Sequence, residues 1–268
     1  MRLINVDTHE LVEFFSTEIP SYAILSHRWG GEEVTFQDWR STRSREHVSH
    51  KAGYQKIVHA CVKAKEQGLS FVWCDTNCID KSSSTELSEA INSMWAWYRD
   101  STVCYAYLQD PPDRFPTFKD SEWFSRGWTL QELIAPSEVV FFGSEWEPLT
   151  TKRDGCELIE TVTKIPRDVL FFPESVAHTS VAKRMSWASR RRTTRLEDSA
   201  YCLLGIFDIN MPLLYGEGSK AFQRLQEEII NKNDDASILV WRSDSATSSI
   251  RLPLLAPSPA CFSSAGNI

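Results

Sequence analysis

Trp128 and Glu132 lie four residues apart in SRGWTLQEL (125–133), so a helix there places an aromatic ring and a carboxylate side by side. Such a pair suits a flat cation or an oxocarbenium-like centre, because the ring excludes water while the acid supplies charge or accepts a hydroxyl proton. On spacing alone the commoner arrangement is structural, with Trp128 in the core and Glu132 capping or pairing at the surface. Other polar groups gather in three loops that follow apolar runs: SHRWGGEE (26–33), DTNCIDKSSS (75–84) and QDPPDRFPTFKDSEWFSRGW (109–128). These loops offer Arg28, Trp29, Asp75 and Asp80 beside the segment bearing Glu132. If the runs are parallel strands, the loops meet at the carboxyl ends, where open α/β sheets bind ligands.

Competing chemistries are weaker. Cys74 and Cys78 with His47 and His50 have C-x3-C and H-x2-H spacings unlike ordinary zinc sets, and Cys74 falls in a strand, so no metal is expected. Gly30–Gly31 and the GEG at 216–218 fit neither a dinucleotide nor a P-loop fingerprint and read as turns or helix entries. His27 and His59 have no serine or cysteine at a recognisable nucleophile elbow.

The elements that must position these residues alternate. Strands are expected at YAILS (22–26), SFVWCD (70–75), TVCYAYL (102–108) and EVVFF (138–142), each short and apolar on both faces. Between them, one helix carries Tyr54, Val58, Cys61 and Lys65 and stops at Gly68. A second opens at Ser83 with Glu86 in capping-box spacing and turns Leu87, Ile91, Met94, Trp95 and Tyr98 inward, and a third runs from about Ser121 to Ala135, halted by Pro136. The pattern predicts an α/β doubly wound, mainly parallel sheet. Additional C-terminal helices follow, with Ser180, Thr194 (boxed with Glu197) and Ser219 as expected N-caps. SILVW (237–241) reads as a further strand, and the Ser- and Pro-rich residues 242–268 as a linker or ragged end.

Bulk properties narrow the function classes. The 268 residues are 42% hydrophobic and 24% charged, with no apolar run long enough for a membrane helix. A net charge of −7 argues against nonspecific nucleic-acid binding. Seven cysteines scattered through apolar runs suit reduced core thiols, and the N-terminus lacks a signal peptide's apolar core, so the cytoplasm is expected. The basic stretch Lys183–Arg195 reads first as a solvated helix face, with a phosphate or partner patch as the alternative.

Four blocks in order, YAILSHRWG…EVTFQDW, GYQKIVHACVKAKEQGLSFVWCDTNCID, SEWFSRGWTLQELIAP and DINMPLLYGEGSKAFQRLQEEI, resemble the heterokaryon incompatibility (HET) domain of filamentous fungi across roughly residues 20–230. Cys74 and Asn77 are its minor departures. The resemblance implies a domain over 1–241, with a core at about 20–145 and a helical elaboration at about 150–232. It further implies non-self recognition ending in programmed cell death. HET domains are in turn similar to TIR domains, so a TIR-like (flavodoxin-like) core is expected: YAILSHRWG resembles the opening strand and loop, and SRGWTLQEL resembles the helix motif W-C-x-x-E-L, with Thr129 for the cysteine. That likeness places Glu132 on the glutamate that cleaves NAD in enzymatic TIR domains. It implies Arg28 on the pyrophosphate, Trp29 or Trp128 stacked on a ring and Asp75 near the ribose, with NAD as substrate and no cofactor. Self-association on activation, and a nucleotide-binding switch module as partner or as a missing C-terminal part, also follow from it. The alternative is a non-catalytic signalling module that acts through protein partners.

Overall fold

The computed structural model describes residues 1–15, 18–109, 118–243 and 253–268. A seven-stranded sheet runs in the order β2-β1-β4-β3-β5-β6-β7, where the strands are β1 (Arg2–Asn5), β2 (Leu11–Glu13), β3 (Ala23–His27), β4 (Phe71–Cys74), β5 (Val103–Tyr107), β6 (Val139–Phe142) and β7 (Pro148–Thr151). The four expected strands form the centre, β4-β3-β5-β6, and are mutually parallel. Numbered among themselves they read 2-1-3-4, a doubly wound order whose switch point lies between β3 and β5. The sheet as a whole is mixed, because β2, β1 and β7 are antiparallel additions at its two edges. These are short, and Pro148 opens β7 in a place where a missing N–H does no harm.

Helices cover both faces, and the pleat shows how. Ser26 and His27 are consecutive in β3, so their side chains leave opposite faces. Ser26 meets Glu132 on the Thr129–Ile134 helix, whereas His27 meets Glu33, which is ion-paired to Lys56 of the Ala52–Glu66 helix. The Ala52–Glu66 helix ends as expected, with Gly68 in the left-handed region at φ 76°. The Ser84–Arg99 helix has Ser83 as its cap, since the Ser83 hydroxyl accepts from the Glu86 N–H at 3.3 Å, but the box is not closed because the Glu86 carboxylate accepts from Arg2 and the Asp80 N–H; the helix buries Ala90, Ile91, Met94 and Tyr98. No helix among the described residues is long and apolar enough to cross a membrane. All seven cysteines are free thiols and six are buried.

Several expected details differ. The helix expected from Ser121 to Ala135 breaks into a 3-10 turn, Glu122–Ser125, and the short Thr129–Ile134 helix. Between them Arg126 is extended and pairs with Arg192, and the Gly127 N–H donates to the Arg192 carbonyl at 2.8 Å. Gly127 allows this approach, because a Cβ there would lie 2.5 Å from Thr193 Cγ2. Thr194 is not a cap: Glu197 takes the N-cap of the Asp198–Tyr201 helix, and its carboxylate accepts from the N–H groups of Gly216 (2.8 Å) and Gly218 (3.0 Å). Both glycines have positive φ, so the GEG turn curls around an internal carboxylate. Ser219 precedes the Lys220–Lys232 helix without a side-chain cap.

SILVW is no strand either. Ala236–Leu239 is a 3-10 turn capped by Asp235, with Leu239 and Val240 exposed. The predicted linker is only partly so. Residues 244–252 lie outside the described residues, but Ala256, Phe262 and Ala265 are buried, and the buried Gln226 amide clamps the Ala256 backbone with two 2.9 Å bonds. Three apolar residues without periodicity leave no pattern to read, although packing holds them.

The Leu204–Phe207 helix lies directly on the Ser84–Arg99 helix through Gly205, where a Cβ would meet Trp95 Cβ at 2.2 Å. Gly205→Ala is therefore expected to destabilise the fold by about 2 kcal/mol through overpacking. Urea unfolding measures this, and an unchanged midpoint would show that the helices can separate at no cost.

Candidate active site

Glu132 occupies the first turn of its helix and is buried. Its Oε2 accepts a short hydrogen bond from the Ser26 hydroxyl, and that hydroxyl accepts from the Trp123 indole N–H at 2.9 Å. Trp123 belongs to the 3-10 turn before the break, so the interruption of the helix lets both Trp123 and Glu132 converge on the end of β3. Burial pushes the Glu132 carboxyl up to about 7, and the negative charge of Asp75 works in the same direction. The hydrogen bonds from Ser26 and Tyr98, and the charge of Arg126, restrain the rise. Near neutral pH the group therefore exists both as acceptor and as donor.

Glu132 faces a cavity of about 320 Å³ at the carboxyl rim of the parallel strands. Trp29, Asp75 and Trp128 line it as well, so four of the five residues singled out by sequence share one space. Asp75 follows β4 directly and accepts from Lys81 Nζ at 3.2 Å and from the Trp29 indole at 3.4 Å. Burial raises its pKa, but Lys81 and His27 outweigh this and hold it below the ordinary carboxylate value. Such a volume is at the lower end of the roughly 300–1,000 Å³ of small-ligand sites, so it suits one end of a dinucleotide.

Arg28 is the exception. It is absent from the lining, and its half-exposed guanidinium pairs with Glu122. The arginines that line it are instead Arg126, Arg192 and Arg195, with Lys81 as a further cation. Arg28→Ala is expected to change stability by less than about 1 kcal/mol, as for other exposed ion pairs. A thermal melt checks this, and a larger loss would mean that the pair braces the 3-10 turn.

The basic stretch is not a plain solvated face. Arg184 is buried and donates to the Ile206 carbonyl at 3.0 Å, while Arg191 donates to the Arg126 carbonyl (2.8 Å) and Thr129 Oγ1 (2.9 Å). Arg195 lies 4.6 Å over the Tyr215 ring, and the Tyr215 hydroxyl donates to Asp198 at 2.9 Å. Residues 192–195, Asp198 and Tyr215 thus contribute a wall of the cavity. Sequence reasoning offered Arg192 and Arg195 only as part of a possible phosphate or partner patch, and it overlooked Asp198 and Tyr215, and Ser26, Tyr98 and Trp123 as site residues. The signal for Ser26 was a polar Ser-His pair ending an otherwise apolar strand; nothing marked the others.

Ligand atoms of His27, Cys74 and Asp75 lie within 4.8 Å of one another, the grouping among the described residues that comes nearest to a cation site. Burial raises the Cys74 thiol to about 12, so it stays protonated, and Asp75 already has Lys81. Those two facts disfavour a metal there. His47 and His50 are not part of the group.

Residues 22–118 match the family described as "Heterokaryon incompatibility protein (HET)". Vegetative incompatibility protein HET-E-1 of Podospora anserina is 48% identical over 227 residues, which cover 80% of this chain. The chain carries a HET domain. It spans 16% of the length of that relative. No solved structure matches it. Of the cavity's walls, Trp29 and Asp75 fall inside the matched HET segment, whereas Glu132, Trp128, residues 192–195 and Asp198 lie beyond its end at 118.

Proposed function

We propose that this HET domain is an effector of fungal non-self recognition that triggers programmed cell death by cleaving the nicotinamide–ribose bond of NAD. The observation that carries the reading is Glu132: a buried carboxyl with its pKa near neutrality, on the floor of an aromatic-walled cavity at the carboxyl rim of a doubly wound sheet. The central strand order agrees with a TIR-like core. In the proposed reaction the C1′–N bond breaks, its electron pair goes to the ring nitrogen and nicotinamide leaves neutral. The ribosyl oxocarbenium ion is stabilised by ionised Glu132, and water adds at C1′ with loss of a proton. Trp29 and Trp128 stack on the ring side. Asp75 orients the ribose, and Arg126, Arg192 and Arg195 take the place Arg28 was expected to hold near the pyrophosphate. Nicotinamide release by concentrated purified protein, wild type against Glu132→Gln, tests this. Turnover in the wild type that the variant loses supports it; equal turnover removes Glu132.

A second reading rests on Leu196 and Leu214, which are 70% and 51% exposed and follow directly on cavity-lining residues or precede one. Apolar groups so placed suit self-association, either completing the site or, in a non-catalytic module, recruiting partners in the cytoplasm or a switch module. Toxicity that survives Glu132→Gln but not Leu196→Glu with Leu214→Glu would favour assembly without catalysis.

A further inference from the structure

Lys81 places its ammonium 3.6 Å from the centroid of the Trp29 ring and 3.2 Å from Asp75 Oδ2, while the Trp29 indole N–H donates to the other oxygen of Asp75 at 3.4 Å. A ring face and a carboxylate together make a cation site, and here the chain's own ammonium fills it. All three groups line the cavity that holds Glu132. Lys81 reaches it from the loop after the Asp75–Cys78 turn, with nearly a third of its side chain in solvent, so the flexible stem can swing out and the ammonium regain water.

We propose that the Trp29 face beside Asp75 is a subsite for a planar aromatic cation, and that Lys81 is its internal stand-in, displaced when such a ligand binds. This deepens the hydrolase reading and names its substrate class: an N-glycoside of a cationic heteroaromatic ring. A cationic ring stacks on the indole and replaces the charge that Asp75 loses when Lys81 leaves. A neutral ring of the same shape gains the stacking only and leaves Asp75 unpaired, so it is discriminated against. Cleavage then changes the balance. When the bonding pair moves to the ring nitrogen, the ring loses its charge, the Lys81 ammonium regains its place and the neutral product is expelled.

Two probes that cannot be hydrolysed separate this inference from catalysis: 1-methylnicotinamide, a permanent cation, and nicotinamide, its neutral counterpart. Their affinities for the full chain are measured by ligand-observed NMR titration, with circular dichroism confirming that each variant is folded. Lys81→Met and Lys81→Gln are each expected to bind the cation about tenfold more tightly than wild type, the effect of removing a competing cation–π contact and its ion pair. Nicotinamide, which must displace the same ammonium, should also gain affinity in the Lys81 variants but bind more weakly than the cation in each protein, and Trp29→Leu should reduce the preference for the cation. Equal cation affinity in wild type and both Lys81 variants, or no preference for the cation in any of them, overturns the proposal. A chain that binds the cation but releases no nicotinamide from NAD retains the subsite and loses the hydrolase. One that hydrolyses NAD without cation preference does the reverse.

Discussion

Glu132→Gln is expected to yield a protein that melts higher than wild type at pH 8 and releases nicotinamide far more slowly. The two effects share a cause. In the folded chain the carboxyl titrates near 7, against 4.5 for the free group, because burial makes its charge costly. Between those values the folded state holds a proton that the unfolded state has lost, so stability falls as pH rises through the window. By pH 8 the loss is roughly 3 kcal/mol. Glutamine carries no charge to bury, and its amide oxygen still accepts from Ser26; imperfect pairing of the NH2 returns about 1 kcal/mol of the gain. A net gain of about 2 kcal/mol corresponds to roughly 4–8 °C in a chain of this size. At pH 5 the difference should disappear. Turnover moves the opposite way: in the wild type it should rise through pH 7 as Glu132 ionises, and in the variant it should be lower by roughly 100-fold or more, as when a transition-state charge partner is removed. Parallel melts from pH 5 to 8 would deny the buried charge.

The central sheet was legible because each of its four parallel strands is apolar on both faces and bounded by polar loops, a pattern that only a covered strand produces. Edge strands were not. β2 has one half-buried residue and two exposed, so composition hardly separates it from a loop. The candidate site was legible to the same degree and for the same reason. Asp75 directly follows β4 and Trp29 lies two residues past the end of β3, and topology delivers such residues to the carboxyl rim. Arg28 follows the same strand but alternates outward, and no sequence rule announces that Glu122 will hold it. Arg192, Arg195 and Asp198 reach the rim through a contact between distant segments, the Arg126–Arg192 bridge, whose one local trace is a glycine at 127. Long-range pairing of this kind has no period to detect.

Arg191 shows what that bridge does. Its guanidinium reaches across to the break before the Glu132 helix and donates to the Arg126 carbonyl and the Thr129 hydroxyl, while the Thr129 hydroxyl lies 2.6 Å from the Trp123 carbonyl. Trp123 in turn holds Ser26, the partner of Glu132. Desolvation lowers the Arg191 pKa to about 10, which still leaves it charged at neutral pH. Both bonds leave one nitrogen, Nη1, whose direction the planar guanidinium fixes, whereas a lysine ammonium is a point charge on a flexible stem. Arg191→Leu should therefore cost about 2–3 kcal/mol by removing a charged donor from the Arg126 carbonyl and leaving it only the Thr129 hydroxyl at 3.0 Å, or roughly 5–10 °C in the melt, with Arg191→Lys intermediate. Arg191 does not line the cavity, so its loss should lower kcat for NAD more than it raises KM, and should leave binding of 1-methylnicotinamide unchanged. A variant that melts lower yet keeps full kcat would make Arg191 a structural brace alone. One that loses kcat in proportion to Arg126 and Glu132 displacement would show that the helical half of the domain sets the geometry of a carboxylate carried by the sheet half.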